Sequence, residues 1–200
     1  MEAMRDELLR FWFGESPDDA EVAAAQADLW WGKSPDTDEE IGGRFGILAT
    51  AGSAGTIDHW RGSPRGRLAL ILCLDQLPRV IYRGTAAAFA QDAKARGFAA
   101  RGLESGADRL LRPIERVFFY LPFEHSEAAD DQERSVELFA ELADTVRSEW
   151  RDTFENFLDF AVRHKGIIDR FGRFPHRNAV LGRESTPEEL EYLEDPDAGF

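Results

Sequence analysis

The sequence predicts an all-α fold of about seven or eight helices, built as one domain over residues 1–200. Helix start signals recur along the chain, and two segments repeat apolar residues at the helical period. Runs of alternating β-branched residues, which would predict strands, are nearly absent, while alanine, leucine, glutamate and arginine dominate. A chain of 200 residues, 43% of them hydrophobic, can bury a sufficient core without disulfides or metals.

The first half of the chain is predicted to hold helices joined by a glycine-rich segment. In "SPDDAEVAAAQADLWW", Ser16 is the expected N-cap and Pro17 the first helical residue. Residues 42–66 are rich in glycine, so an irregular or broken helix is expected there. The run "LALILCL" that follows is apolar on every side, which indicates a buried helix.

The second half shows the clearest helical patterns. The segment "GTAAAFAQDAKARGFAARGL" is predicted to be one helix, and Pro113 is placed to begin the next. Apolar stripes at helical spacing follow, from Val136 to Trp150 and from Phe154 to Phe171. In "STPEELEYL", Thr186 is the expected N-cap, and Glu189 three residues later completes a capping box.

Composition restricts the partners and the compartment. A formal net charge of −14 disfavours binding to nucleic acid or to an anionic membrane, because both would repel the chain. The single cysteine, Cys73, has no partner for an internal disulfide, which fits a reducing compartment. The N-terminal residues show no signal-peptide pattern, and the longest apolar run, Leu68–Leu74, is far shorter than a membrane span. We therefore expect a cytoplasmic protein that binds neither nucleic acid nor membrane.

Basic residues are concentrated in two parts of this acidic chain. Residues 61–101 contain eight basic and two acidic residues, and residues 165–183 contain five basic residues and one acidic residue. Ion pairing with the acidic helices would explain both concentrations, and an anion-binding surface is the alternative.

Three polar residues directly follow the apolar helix, in "LCLDQLPRVIYRG": Asp75, Gln76 and Arg79. Burying a carboxylate and a guanidinium is unfavourable unless the two groups pair or make other hydrogen bonds. Asp75 and Arg79 are four residues apart, so they can pair on one helix face. The segment predicts either a structural ion pair that closes a helix end or the floor of a ligand pocket, to which Arg83 would also belong.

A second polar group ends the aromatic run in "FFYLPFEHSE". Glu124 and His125 are candidates for a general base, and Ser126 is a candidate nucleophile. The alternative is a structural role for Ser126 as a helix cap. His164 falls on the inward stripe of a later helix, which is typical of a core histidine and also makes it a candidate base.

The third group is the segment "RFGRFPHRN", where two phenylalanines would bury a basic stretch in the core. Guanidinium groups suit carboxylate or phosphate oxygens, so the segment predicts a ligand site. Its candidate residues are Arg170, Arg173, His176, Arg177 and Asn178. No cysteine pair, helical histidine pair or calcium-type acidic loop is present, so neither a metal site nor a cofactor is predicted.

The motifs "LDQLPRVIYRGTAAAFAQD", "FFYLPFEHSE" and "HKGIIDRFGRFPHRNAVLGRESTPEE" occur together and in this order. In this combination the chain resembles the bacterial domain-of-unknown-function family 924, and the likeness covers nearly the whole sequence. The resemblance implies an all-α fold of tetratricopeptide-like antiparallel helix pairs. It implies no activity and supplies no catalytic residues.

Three functions are compatible with these residues. The first is a binding module whose basic pocket, lined by histidine and arginine, holds a small anionic ligand or a peptide. The second is a hydrolase-type enzyme that uses Glu124, His125 and His164. In the third, the polar groups form a structural network, and function lies in a contact with another protein.

Overall fold

The computed structural model describes residues 1–195 and 198, and within them the chain forms nine α-helices and no strand. The predicted all-α class is confirmed. The helices are α1 (Glu2–Phe13), α2 (Asp19–Trp31), α3 (Pro35–Ser53), α4 (Pro64–Ile81), α5 (Asp92–Glu104), α6 (Pro113–Glu124), α7 (Ala129–Thr145), α8 (Arg151–Phe171) and α9 (Pro187–Leu193).

Helix starts follow the capping residues closely. The Thr186 side chain accepts a hydrogen bond from the backbone N–H of Glu189, and the Glu189 side chain accepts one from the backbone N–H of Thr186. The predicted capping box is therefore confirmed. The prediction for α2 was wrong by two residues, because Asp18 and not Ser16 caps the helix, accepting from the two N–H groups of Ala20 and Glu21.

Two predicted boundaries differ from the structure. The α3 helix runs unbroken through its glycines to Ser53, because Ile41, Phe45 and Leu48 bury one face of it. The helix predicted from residue 84 begins only at Asp92. The alanines before it form a 3₁₀ turn, Ala86–Phe89, in which Ala88 is the buried residue.

The α4 and α6 helices lie at the centre of the molecule. Both are buried on nearly all sides, as the continuous apolar runs predict. The α4 helix packs against α3, α5 and α6, while α6 packs against α2, α5 and α7, and α7 against α8. Packing between α4 and α1, and between α6 and α2, adds to the contacts between sequence neighbours. The tetratricopeptide-like stacking stays a prediction.

Helix α5 approaches α6 closely at Gly102. We expect Gly102→Ala to lower the free energy of unfolding by about 1–3 kcal/mol, because a core without space must shift to take a methyl group. The added Cβ would clash with the ring of Phe119 and lie 2.8 Å from Cδ of Arg67. Urea denaturation measures the change.

The matched control for this prediction is Gly43→Ala on helix α3, where an added Cβ has no neighbour within 4 Å. Alanine is the better helix former, so this variant should gain about 0.5–1 kcal/mol. Equal effects of the two substitutions would contradict the close packing of α5 on α6.

Candidate functional site

The three polar motifs meet around His125. Nδ1 of His125 lies 2.9 and 3.0 Å from the two carboxylate oxygens of Asp75. On another side, Nη1 of Arg177 donates to the backbone carbonyl of His125 at 3.0 Å. Helix α4, the end of α6 and the 3₁₀ turn Pro175–Arg177 therefore contribute to one site. We call its members the His125 cluster: Asp75, Arg79, Glu124, His125, His164 and Arg177.

Asp75 is the buried anion of the cluster. It belongs to the last turns of α4, and none of its surface is exposed. Gln76 Nε2 donates to Asp75 Oδ2 at 2.6 Å, and Nη1 of Arg79 lies 3.3 Å from Oδ1. Burial opposes ionisation, but the charge of Arg79 and the hydrogen bonds from His125 and Gln76 outweigh it and hold the pKa of Asp75 below its ordinary value. The carboxylate is therefore ionised at neutral pH.

His125 follows the last residue of α6 and is held in one tautomer. Because a carboxylate only accepts hydrogen bonds, the proton sits on Nδ1 and Nε2 carries the lone pair. Burial and then the charge of Arg79 lower the pKa of His125, against the opposing effect of Asp75. The side chain is 13% exposed. His125 is thus a neutral imidazole with an oriented basic nitrogen.

Glu124 and His164 form a second buried pair beside His125. Burial, followed by the charge of Asp75, raises the pKa of Glu124 to about 8. Nδ1 of His164 lies 2.9 Å from the carbonyl oxygen of Phe160 and 3.2 Å from Oε1 of Glu124. Burial lowers the pKa of His164 to about 3, so its imidazole is neutral. The centres of the two imidazole rings are 6.3 Å apart.

Arg79 and Arg177 differ in how far their charges are compensated. Arg79 makes two hydrogen bonds of 2.8 and 2.9 Å to the carboxylate of Asp92. Arg177 is 6% exposed, and its nearest carboxylate oxygen, on Asp92, is 3.7 Å away. Its Nε is buried without a hydrogen-bond partner. Burial and the charge of Arg79 lower the pKa of Arg177 to about 10.

Two aromatic rings enclose the guanidinium of Arg177. Its central carbon lies 4.6 Å from the ring centre of Phe89 and 4.4 Å from that of Phe174. Phe89 is the half-buried end of the 3₁₀ turn before α5. Such stacking stabilises a cation that has given up water.

Glu127 holds the turn that carries Arg177. It accepts from the backbone N–H of Phe174 at 2.8 Å and receives two hydrogen bonds from Arg183, of 2.7 and 3.0 Å. Gly172, with a φ of 69°, ends α8 and lets the chain reverse toward α6.

The other predicted site residues lie outside the cluster or at its edge. Arg83 pairs with Asp38, Arg170 with Glu188, and Arg173 with Glu189, so these three guanidiniums are compensated by carboxylates. Asn178 donates to Ser185, and His176 stacks near Phe174, where burial lowers its pKa to about 4. Gln76 touches Asp75 within the cluster.

Ser126 is oriented away from a nucleophilic role. Its Oγ donates to a carboxylate oxygen of Asp131 at 2.6 Å and accepts from Arg96 and from the backbone N–H of Ala128. These contacts hold the chain just before α7, but the N-cap of this helix is Ala128 and its cap makes no side-chain hydrogen bond, so the predicted helix cap by Ser126 was wrong.

Sequence reasoning missed five acids that compensate the arginines: Asp38, Asp92, Glu127, Glu188 and Glu189. Asp92 lies in the first turn of α5 and Glu189 in a capping box, so each already had a local explanation. A local role of that kind gives no signal of a contact with Arg79 or Arg173.

An open groove of about 550 Å³ lies between the start of α3 and the end of α4. Arg83 lines it, but no member of the His125 cluster does. Within residues 1–195 and 198, no group of three or more histidine, cysteine, aspartate or glutamate side chains is placed to hold a metal ion. Across the same part of the chain, no helix has the length and apolar character needed to cross a membrane.

Comparison with known proteins places the chain in a family. The family described as bacterial protein of unknown function (DUF924) matches residues 8–197. The chain belongs to this family. Its structure is similar to that of the protein of unknown function ATU0120 from Agrobacterium tumefaciens, with a TM-score of 0.74 and 38% sequence identity. The likeness covers 88% of this chain and 99% of that protein. No curated protein matches the chain.

Proposed function

We propose that this member of DUF924 is an acid–base catalyst of the hydrolase type, with His125 as its general base. The observation that carries the proposal is the pair of contacts between Nδ1 of His125 and the ionised carboxylate of buried Asp75. A carboxylate in that position fixes the tautomer and stabilises the imidazolium that forms when Nε2 takes a proton.

The neighbouring groups supply the other requirements of such a reaction. Nε2 of His125 would remove a proton from water while the water oxygen bonds to the electrophilic atom of the substrate. The guanidinium of Arg177 would stabilise the negative charge that develops there. Glu124, which keeps its proton at neutral pH, is the candidate general acid for the leaving group.

The proposal is tested by assaying a panel of small esters, amides and phosphoesters. His125→Gln should reduce kcat/KM at least about 100-fold, as removal of a general base does. His59→Gln is the matched control, because His59 is an exposed histidine whose side chain is 65% exposed. Equal activity of the His125 variant and wild type, or no turnover of any substrate by wild type, would contradict the proposal.

A second candidate function is the binding of a small anionic ligand or peptide, and Arg177 favours it. Among the residues that the structure describes, its guanidinium has no carboxylate at hydrogen-bond distance, and its Nε has no hydrogen-bond partner. Phosphate or carboxylate ligands should then raise the melting temperature, and Arg177→Gln should abolish the rise while Arg170→Gln retains it. A loss of stability in the Arg177 variant without any ligand effect would instead favour a structural network.

A further inference from the structure

A second group of arginines lies at the other end of helix α4. Arg61 belongs to the 3₁₀ turn Asp58–Gly62, Arg67 to the first turn of α4, and Arg101 to the last turn of α5. We call these three residues the Arg67 cluster. Arg79 follows Arg67 by twelve positions on this helix, and this separation corresponds to about 18 Å along the helix axis. The cluster is thus remote from His125.

Backbone contacts hold Arg67 against both neighbouring elements. Its Nη1 donates to the carbonyl of Phe98 at 3.0 Å, and its Nη2 donates to the carbonyl of Arg61 at 3.1 Å. The guanidinium of Arg101 lies over the ring of the same Phe98, 5.1 Å from its centre. The three arginines therefore share one small region of the surface.

No carboxylate compensates these charges. Within residues 1–195 and 198, no carboxylate oxygen lies within 4.0 Å of the side-chain nitrogens of the three arginines. Nearby cations are paired: Arg65 contacts Glu115 at 3.2 Å, and Lys94 contacts Asp58 at 3.1 Å. The three adjacent arginines therefore form a local positive patch in a chain of net charge −14.

Arg67 is the arginine of the cluster whose charge is most destabilised by burial and by its neighbours. It is half-buried, and its Nε is buried without a hydrogen-bond partner. Burial, followed by the charges of Arg101 and Arg61, lowers its pKa. An anion placed against the cluster would relieve the mutual repulsion of the three charges.

One glycine of α5 makes room for the side chain of Arg67. A Cβ at Gly102 would lie 2.8 Å from Cδ of Arg67, closer than an ordinary van der Waals contact. Glycine inside a helix is less stable than alanine by about 1 kcal/mol. Gly102 therefore lets the Arg67 side chain lie against α5.

We propose that the Arg67 cluster binds the phosphate group of a small molecule. Arg67 supplies a fixed positive charge at the base, while Arg61 and Arg101, which are exposed, supply guanidinium N–H donors to the phosphate oxygens. The proposal does not depend on catalysis at His125.

Calorimetric titration of the full chain with inorganic pyrophosphate at low salt tests the proposal. The double variant Arg61→Gln/Arg101→Gln should bind at least about tenfold more weakly, since two charge-assisted contacts are lost. The matched control is Arg109→Gln/Arg163→Gln, which removes the same charge from two exposed arginines elsewhere. We expect the control to bind within twofold of wild type, as about 0.4 kcal/mol corresponds to that ratio.

Four results would overturn the proposal. Wild type could fail to bind, or both double variants could weaken binding equally, which would show only an effect of net charge. Loss of binding in Arg177→Gln would place pyrophosphate at the His125 cluster instead. A second titration uses a phosphoserine peptide. Tighter binding of the peptide than of pyrophosphate would contradict the proposal that the phosphate belongs to a small molecule.

Discussion

Asp75→Asn is expected to lower the free energy of unfolding by about 3 kcal/mol at pH 7, because it breaks a buried network of charges. Without the Asp75 carboxylate, Asp92 is the one carboxylate of the described residues within 4.0 Å of the guanidiniums of Arg79 and Arg177. The Nδ1 proton of His125 also loses its charged acceptor. Urea denaturation measures the loss.

The effect of Asp75→Asn should depend on pH in one direction. The pKa of Asp75 is lowered in the folded state, so its ionisation stabilises the fold above the ordinary aspartate pKa of about 4. That contribution is lost as the pH falls toward the folded-state pKa. The gap between wild type and variant should therefore narrow below about pH 4.

Asp38→Asn is the control for the loss of one negative charge from an aspartate that pairs with an arginine. Asp38 pairs with Arg83 near the surface, where its side chain is 23% exposed, so its loss should cost less than about 1 kcal/mol. An Asp75 variant that matched this control, or a gap that stayed constant down to pH 3, would contradict the buried network.

Glu124→Gln is expected to stabilise the protein in alkali, by about 5 kcal/mol at pH 9. The pKa of Glu124 is raised to about 8, so between pH 4.5 and 8 the unfolded chain loses this proton while the folded chain keeps it. Wild-type stability from this group is complete below pH 4.5 and is lost as the pH rises through 8. The glutamine side chain is neutral at every pH, so the variant does not lose this stability as the pH rises.

Denaturation at pH 4.5, 7 and 9 measures this difference, and Glu137→Gln is the control because that carboxyl is 66% exposed. The same Glu124 variant should lose hydrolytic activity, since an amide is not a general acid. Gain of stability together with loss of activity is typical of a functional site. A variant less stable than wild type at pH 9 would show that Glu124 is ionised and paired in the fold.

The helices could be predicted because their determinants are local. Thr186 and Glu189 are three residues apart, and the stripe from Phe154 to Phe171 repeats at the helical period. The turn at Ala86–Phe89 could not be predicted, because alanine favours a helix and only the packing around Arg79 and Arg177 shows what Phe89 contacts.

The residues of the site could be predicted from the sequence better than the residues that they contact. Asp75, His125 and Arg177 each interrupted an apolar stretch, which is a signal readable in sequence. Their partners are decided by how α4, α5 and α6 pack. Asp75 contacts Arg79, as their spacing predicts, whereas the contact of Arg79 with Asp92 could not be read from the sequence.

The contacts of His125 also bear on the order of folding. Asp75 is 50 residues before it and Arg177 is 52 residues after it, so each contact closes a long loop of chain. Closing loops of this length costs entropy before the contacts are gained, and such distant pairs slow folding. The titration of the His125 imidazole would therefore report the last stage of folding, after the nearby helix pairs α3–α4 and α7–α8 have formed.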